Sequence, residues 1–235
     1  MEPTEEVRAM ARSMKRQLET LKVWGLREVP QGRAQSSANA KAIALSRLEQ
    51  EVSACIRCPL YRIRTHPVVG EGNLEARLVF IGEAPGREED LQGRPFVGAA
   101  GQLLTKMIEA IGLRREAVYI CNVLKDRPPN NRTPLPEEVE ACRPYLLQQL
   151  QIIHPTVICT LGAVAVKTLL GPTISITQVR GQLRSYEQIP VIPTFHPAYL
   201  LRNPSAKRAV WQDLKTVKAL LMKTDRPPST VDSPQ

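Results

Sequence analysis

The chain has 235 residues, and its 32 Lys and Arg residues outnumber 23 Asp and Glu residues to give a formal net charge of +9. No apolar run approaches the roughly 18 residues that a membrane span needs, and Glu2, Glu5, Glu6 and Arg8 carry charges where a signal peptide would be apolar. These features exclude a membrane protein and favour a monomeric globular protein of the cytoplasm, with one domain and short appendages.

The first 40 residues are predicted to lie outside the folded domain. Apolar residues at three- and four-residue spacings predict a helix over 5–23. Residues 25–40 combine Gly, Pro, Ser and Asn with little apolar content, which predicts a flexible linker. The domain is expected to span 41–224, and the polar residues 225–235 are predicted to be a disordered tail.

Short apolar segments alternate with helical patterns inside the domain. Helices are predicted at about 41–55, 100–112, 136–152, 163–170 and 205–223, strands at 77–82, 118–124, 156–161 and 190–195, and a β-hairpin over 174–186 around Arg180 and Gly181. Uninterrupted apolar strands that alternate with helices are typical of a parallel sheet with both faces covered. The sequence therefore predicts an α/β fold, a three-layer α/β/α sandwich.

Polar residues follow the predicted strands at the sheet edge where ligands of parallel sheets bind. The four segments are 82–86, 122–126, 162–163 and 196–197. Glycines in the first segment permit a close approach of the backbone to a ligand, but four acidic residues over 83–90 argue against a phosphate-binding loop. An ordinary strand-to-helix turn is the alternative interpretation of that segment.

Two side chains have both a structural and a functional interpretation. Phe96 lies between Pro95 and small residues, where its ring either packs in the core or stacks on a planar ligand. Asn122 is an amide within an apolar strand, and it must be paired either inside the protein or with the edge of a ligand.

The C-terminal third of the chain combines apolar and basic side chains. Residues 151–235 contain ten basic and four acidic residues, a surplus of six positive charges. His196 ends the last strand, and Tyr199, Leu200 and Leu201 follow it in a segment that is expected to be exposed. Apolar side chains of this kind can insert between stacked bases of DNA, so the segment is a candidate DNA contact.

Six segments in this order resemble one enzyme family. They are GEAPGREED (82–90), GRPFVGAAGQLL (93–104), NVLKDRPPNNR (122–132), LGAVA (161–165), VRG (179–181) and HPAYLLRNPS (196–205). Over residues 51–222 the chain resembles the family 4 uracil-DNA glycosylases, which are iron–sulfur enzymes of base-excision repair. The resemblance implies the uracil-DNA glycosylase fold with a parallel four-stranded sheet, excision of uracil from single- or double-stranded DNA, and a [4Fe–4S] cluster.

The resemblance also implies the roles of single residues once the target nucleotide has left the base stack. Phe96 stacks on uracil, and the Asn122 amide reads its edge. His196 donates to uracil O2 as negative charge develops there, and Glu83 is a carboxylate near the sugar or its attacking water. The implied set is completed by Gly82, Ala84 and Glu89 around the base, with Glu89 excluding the thymine methyl group, and by Tyr199, Leu200, Leu201, Arg202, Lys207 and Arg208 against DNA.

The cluster motif departs from the family at one position. Cys55, Cys58 and Cys142 match three ligand positions, but Asp126 stands where the family usually has the fourth cysteine. Either Asp126 ligates the fourth iron, or that iron is labile or bound by an exogenous ligand, or the site holds zinc or nothing. We expect a structural [4Fe–4S] cluster with Asp126 close to it, and the remaining cysteines, Cys121 and Cys159, in the core.

Two other functions compete with catalytic turnover. One is a uracil-DNA binding protein that crosslinks to the abasic product through a histidine in an inserted basic loop. The other is a DNA-polymerase accessory protein or an otherwise inactive paralogue of the glycosylases, in which the N-terminal helix within residues 1–23 docks on a partner. The loop over 128–138 contains no histidine, which favours turnover.

Overall fold

The computed structural model of the protein describes residues 32–223. The helix predicted over 5–23 and the tail predicted over 225–235 lie outside these residues. Contacts divide the chain at residue 39 into two units. Helix α1 (Gly32–Ser53) begins inside the stretch predicted to be a linker. Among the described helices, none is long and apolar enough to cross a lipid bilayer.

One six-stranded sheet forms the centre of the second unit. Its strands are β1 (Glu71–Gly72), β2 (Leu78–Gly82), β3 (Tyr119–Asn122), β4 (Val157–Leu161), β5 (Arg184–Tyr186) and β6 (Ile189–Thr194), in the spatial order β1-β3-β2-β4-β6-β5. The inner four strands are parallel, whereas β1 and β5 add to the edges in antiparallel fashion. The predicted α/β fold with a parallel four-stranded centre is confirmed, and two short edge strands extend it.

Helices pack on both faces of this sheet. They are α2 (Arg87–Gln92), α3 (Ala99–Ala110), α4 (Pro136–Ile153), α5 (Ala163–Leu170), α6 (Ile176–Val179), α7 (Pro197–Arg202) and α8 (Lys207–Lys223). Alternate residues of β2 point in opposite directions: Leu78 and Phe80 pack with residues of α3, α7 and α8, while Val79 and Ile81 pack with residues of α4 and α5. Two apolar cores therefore sandwich the sheet, which explains why its strands are apolar without alternation.

The predicted hairpin around Arg180 and Gly181 is wrong in its position. Residues 176–179 form α6, and the hairpin joins β5 to β6 through Glu187 and Gln188, whose φ angles are +46° and +68°. Two consecutive left-handed residues form the tight turn that suits a two-residue hairpin. Asn-Gly is the usual sequence of such a turn, so Glu-Gln gave no signal for it.

Arg180 instead belongs to an ion pair that supports the end of β6. Its Nη2 lies 2.5 Å from Oδ1 of the buried Asp213 in α8. Asp213 Oδ2 also accepts a hydrogen bond of 2.6 Å from Thr194 Oγ1, and the guanidinium lies over the ring of Phe195. Since Thr194 and Phe195 directly precede His196, this network fixes the strand end from which His196 projects.

Candidate active site

A cavity of about 460 Å³ opens at the carboxyl ends of the parallel strands. The loops after β2, β3 and β6 line it together with the loop that precedes α3. Its volume is in the range of sites for small organic ligands. The structure thus brings together side chains predicted from four separate segments, namely Glu83, Ala84, Glu89, Phe96, Asn122, His196, Tyr199 and Arg202.

Asn122 contributes an unpaired hydrogen-bond acceptor to the cavity. The residue is 1% exposed, and its Oδ1 atom has no hydrogen-bond partner within the described part of the chain. A buried acceptor that stays unpaired costs roughly 1–3 kcal/mol. An unpaired acceptor that lines a cavity is suited to bind a ligand with an N–H donor.

Gly82 and Phe96 enclose the Asn122 amide. The two strand ends are paired in register, Gly82 beside Asn122. A Cβ atom at Gly82 would lie 2.3 Å from Asn122 Oδ1 and 2.5 Å from Phe96 Cζ. The absence of a side chain at position 82 therefore leaves room for the amide and the aromatic ring to meet.

Phe96 has a strained backbone that its surroundings hold in place. Its φ angle is +52°, a left-handed conformation that is unusual for an aromatic residue. A Cβ atom at Gly101 in α3 would lie 1.8 Å from Phe96 O, so the helix admits this loop only because position 101 is glycine. Arg115 Nη2 donates to Pro95 O at 2.6 Å and is paired with Glu71 Oε1 at 2.6 Å. No local sequence pattern predicts this anchoring pair, since its members are far apart along the chain.

His196 presents a neutral N–H group to the cavity. Its Nδ1 accepts a hydrogen bond of 3.1 Å from Ala198 N, which places the proton of the neutral ring on Nε2. Burial and the nearby Arg202 lower the pKa of His196 to about 4. The ring stacks on Phe96, with 5.5 Å between centroids. At neutral pH the imidazole is therefore an uncharged donor in a fixed orientation.

Two carboxylates of the 82–90 segment have different environments. Burial raises the pKa of Glu83 above that of an ordinary glutamate. Glu89 Oε1 accepts from Val97 N and Gly98 N at 2.9 Å each, and Oε2 accepts from Gly86 N at 3.1 Å. Glu89 therefore joins the two loops that form the cavity wall, while its exclusion of a methyl group stays a prediction.

Helix α7 exposes two of the three side chains that were expected at the surface. Tyr199 and Leu201 are 39% and 47% exposed, but Leu200 is 1% exposed. The expectation for Leu200 is wrong because the helical period turns it, with Pro197, toward the core between α3 and α8. The basic residues predicted to meet DNA, Arg202, Lys207 and Arg208, are exposed.

The loop after β3 contributes residues that the sequence analysis did not assign. Pro128, Asn131, Arg132 and Thr133 line the cavity. Arg132 is paired with Glu138 at 2.6 Å, so one of its faces is held against the start of α4. Their place directly after the polar strand end at Asn122 is the signal that could have identified them.

The three candidate ligand cysteines are hydrogen-bonded to neighbouring groups. The thiols of Cys58 and Cys142 are within hydrogen-bond distance of each other. Each of the three sulfurs accepts a backbone N–H: Cys55 from Arg57 at 3.5 Å, Cys58 from Leu60, and Cys142 from Lys125. Backbone N–H groups that point at sulfur are a feature by which proteins tune iron–sulfur clusters. These three residues fit such a group.

Asp126 does not share this arrangement. Both of its carboxylate oxygens accept hydrogen bonds of 3.1 Å from Arg64 Nη1. Within residues 32–223, no group of three or more His, Cys, Asp or Glu side chains is arranged to hold a metal ion. The candidate cluster ligands are therefore the three thiols, because the carboxylate of Asp126 is hydrogen-bonded to an arginine.

Comparisons with known proteins agree with this geometry. A model of the uracil DNA glycosylase superfamily matches residues 69–215. A type-4 uracil-DNA glycosylase of Thermotoga maritima is 53% identical over 180 residues, which are 75% of this chain and 94% of that protein. Type-4 uracil-DNA glycosylases of Sulfurisphaera tokodaii and Archaeoglobus fulgidus are each 46% identical, over 78% and 75% of this chain and 87% and 93% of those proteins.

Proposed function

The chain belongs to the uracil DNA glycosylase superfamily, and from that membership we propose that it hydrolyses the N-glycosidic bond of uracil in DNA and leaves an abasic site. The unpaired Asn122 Oδ1 atom in the cavity carries the assignment. Uracil offers an N3–H donor beside the O4 acceptor, and an amide supplies the matching acceptor and donor. Cytosine offers the opposite groups at both positions, so an amide in this orientation rejects it.

Three side chains have different roles at the flipped nucleotide. The Phe96 ring stacks on uracil and orients it. As the glycosidic bond breaks, negative charge develops on O2, where a neutral Nε2–H of His196 forms a stronger hydrogen bond than it does to the uncharged base. The Glu83 carboxylate stabilises the positive charge on the sugar and orients the attacking water.

The exposed cationic and apolar side chains around the cavity are assigned to contacts with the DNA strand. We assign Arg202, Lys207 and Arg208 to phosphate groups, which gives affinity without sequence preference. We assign Tyr199 and Leu201 to the gap that the extruded nucleotide leaves. Because one chain supplies every residue named here, we propose that it acts as a monomer. We also propose that it acts in the cytoplasm.

Cys55, Cys58 and Cys142 would hold an iron–sulfur cluster. When bound, this group would supply a structural link between the segment of Cys55 and Cys58 and helix α4, which contains Cys142. Hydrolysis of a glycosidic bond has no redox step, so the residues of the cavity carry the reaction.

The proposed reaction is tested with a single-stranded oligonucleotide that contains one uracil. We expect free uracil and an alkali-labile abasic site with many turnovers per protein, and no release from matched oligonucleotides that contain thymine or cytosine. A stable protein–DNA adduct in place of turnover would support the crosslinking function. Binding without any reaction would support the accessory function.

The pH dependence of kcat/KM is expected to report on Glu83. Only the ionised carboxylate stabilises a cation, and burial raises the pKa of Glu83 above that of an ordinary glutamate. Activity should therefore decrease as the pH falls through a midpoint above the pKa of an ordinary glutamate, while His196, whose pKa is lowered to about 4, stays mostly neutral. Glu83→Gln should reduce kcat by about 100-fold and remove this acid limb.

The profile is measured with substrate in excess of enzyme between pH 5 and 9, with circular dichroism at each pH to verify that the protein is folded. Glu88→Gln is the matched control, since Glu88 is exposed on α2. An acid limb that persists unchanged in Glu83→Gln would show that another group controls it.

A further inference from the structure

Asp126 and Arg64 form an ion pair that is almost buried. Asp126 is 3% exposed, and both of its oxygens lie 3.1 Å from Arg64 Nη1. With both oxygens engaged by one cation, the carboxylate has its charge neutralised inside the protein. Movement of Asp126 onto a metal would separate the carboxylate from this guanidinium and break the ion pair.

Arg64 also reaches the segment that carries two of the cysteines. Its Nη1 donates to Val52 O at 3.2 Å, and its Nη2 donates to Ser53 O. These carbonyl groups belong to the last turn of α1, directly before Cys55, where the partial negative charge of a helix terminus favours a cation. One guanidinium therefore joins the end of α1 to the loop that follows β3.

A fourth cysteine at position 126 would make the same connection through iron. It would tie the loop after β3 to the segment of Cys55 and Cys58 by way of the cluster. In this chain the arginine makes the connection directly, so the fold no longer depends on a fourth thiolate. This explains why position 126 has a carboxylate where the family usually has a ligand. It also explains why both oxygens are bonded to Arg64.

We propose that Asp126 is the counter-ion of Arg64 and not a ligand, so that Cys55, Cys58 and Cys142 form a three-thiolate site whose fourth iron takes an exogenous ligand such as water or a small thiol. This inference rests on the cluster in the proposed function. The fourth iron would then dissociate most readily, because it alone lacks a bond to the protein.

The test compares the protein isolated without oxygen with its Asp126→Asn and Asp126→Cys variants. Removal of one electron by ferricyanide converts a [4Fe–4S]²⁺ cluster to the 3+ state, and an iron without a protein ligand then leaves as Fe²⁺, so that paramagnetic [3Fe–4S]⁺ remains. We expect the unaltered protein and Asp126→Asn to lose about one iron per chain and to show the same electron paramagnetic resonance signal. Asp126→Cys should retain all of its iron under the same treatment.

Several results would overturn the inference. One is retention of the fourth iron by the unaltered protein together with its loss in Asp126→Asn, since the carboxylate would then be the ligand. Protein without iron would overturn both the cluster and the inference, whereas uracil release, measured on the same samples, decides the proposed reaction separately.

The arginine is tested on its own by thermal unfolding. Arg64→Met should lower the unfolding temperature of the isolated protein well below that of Arg62→Met, because Arg62 is exposed and bonds to its neighbour Tyr61. Equal unfolding temperatures for the two variants would contradict the structural role of Arg64. If Arg64→Met does not fold, iron loss in the Asp126 variants still decides the question.

Discussion

Asn122→Asp is expected to reduce kcat/KM for uracil excision by about 10⁴-fold. The substitution keeps the size and shape of the side chain but removes the N–H donor that pairs with uracil O4. It also places a carboxylate in a buried site beside the leaving base, which becomes negatively charged. The carboxylate therefore destabilises the transition state as well as the bound base. Both effects act through the reacting base, which is why the loss should exceed that of Glu83→Gln.

Excision by Asn122→Asp is measured in single-turnover assays with uracil and cytosine at the same position of one oligonucleotide. Asn73→Asp is the matched control, because Asn73 is exposed and uses only its oxygen, as an acceptor from Glu75 N. Residual activity should shift toward cytosine, whose donor at position 4 a carboxylate accepts. Unaltered rate and base selectivity would refute the role of Asn122.

The layers of the fold were predictable because they follow from a local pattern. The inner strands are mostly apolar and show no regular alternation of polar side chains, a pattern typical of a parallel sheet buried on both faces. The carboxyl-end rule then located Asn122 and His196 before any family was considered. Their chemical roles came from the resemblance, since an amide in a strand is also compatible with a buried hydrogen bond.

Features that depend on contacts between distant residues were not predictable in the same way. The pairing of Arg64 with Asp126 joins residues 62 positions apart, and no spacing rule relates them. Leu200 appeared exposed because its neighbours are, yet its position within one short helix turns it inward. The unpaired state of Asn122 Oδ1 depends on every atom around it, so only the three-dimensional structure identifies it.

Gly82→Ala is expected to reduce kcat/KM by about 10³-fold without any change in a functional group. The φ angle of Gly82 lies outside the left-handed region, so alanine meets no backbone strain there. Its methyl group would instead lie 2.3 Å from Asn122 Oδ1 and 2.7 Å from Phe96 Cε2. The amide, the ring or both must move, and the two contacts that orient the base are lost together.

Gly98→Ala is the matched control for this variant. Its Cβ atom would lie 3.4 Å from Glu89 Oε1, an ordinary contact, and its φ of −72° suits any residue. Rates with uracil-containing DNA and thermal unfolding curves are measured for both variants. We expect both to fold, Gly98→Ala to retain most of its activity, and Gly82→Ala to lose it. Since the two methyl groups differ in what they touch, full activity in Gly82→Ala would mean that the base binds elsewhere than between Asn122 and Phe96.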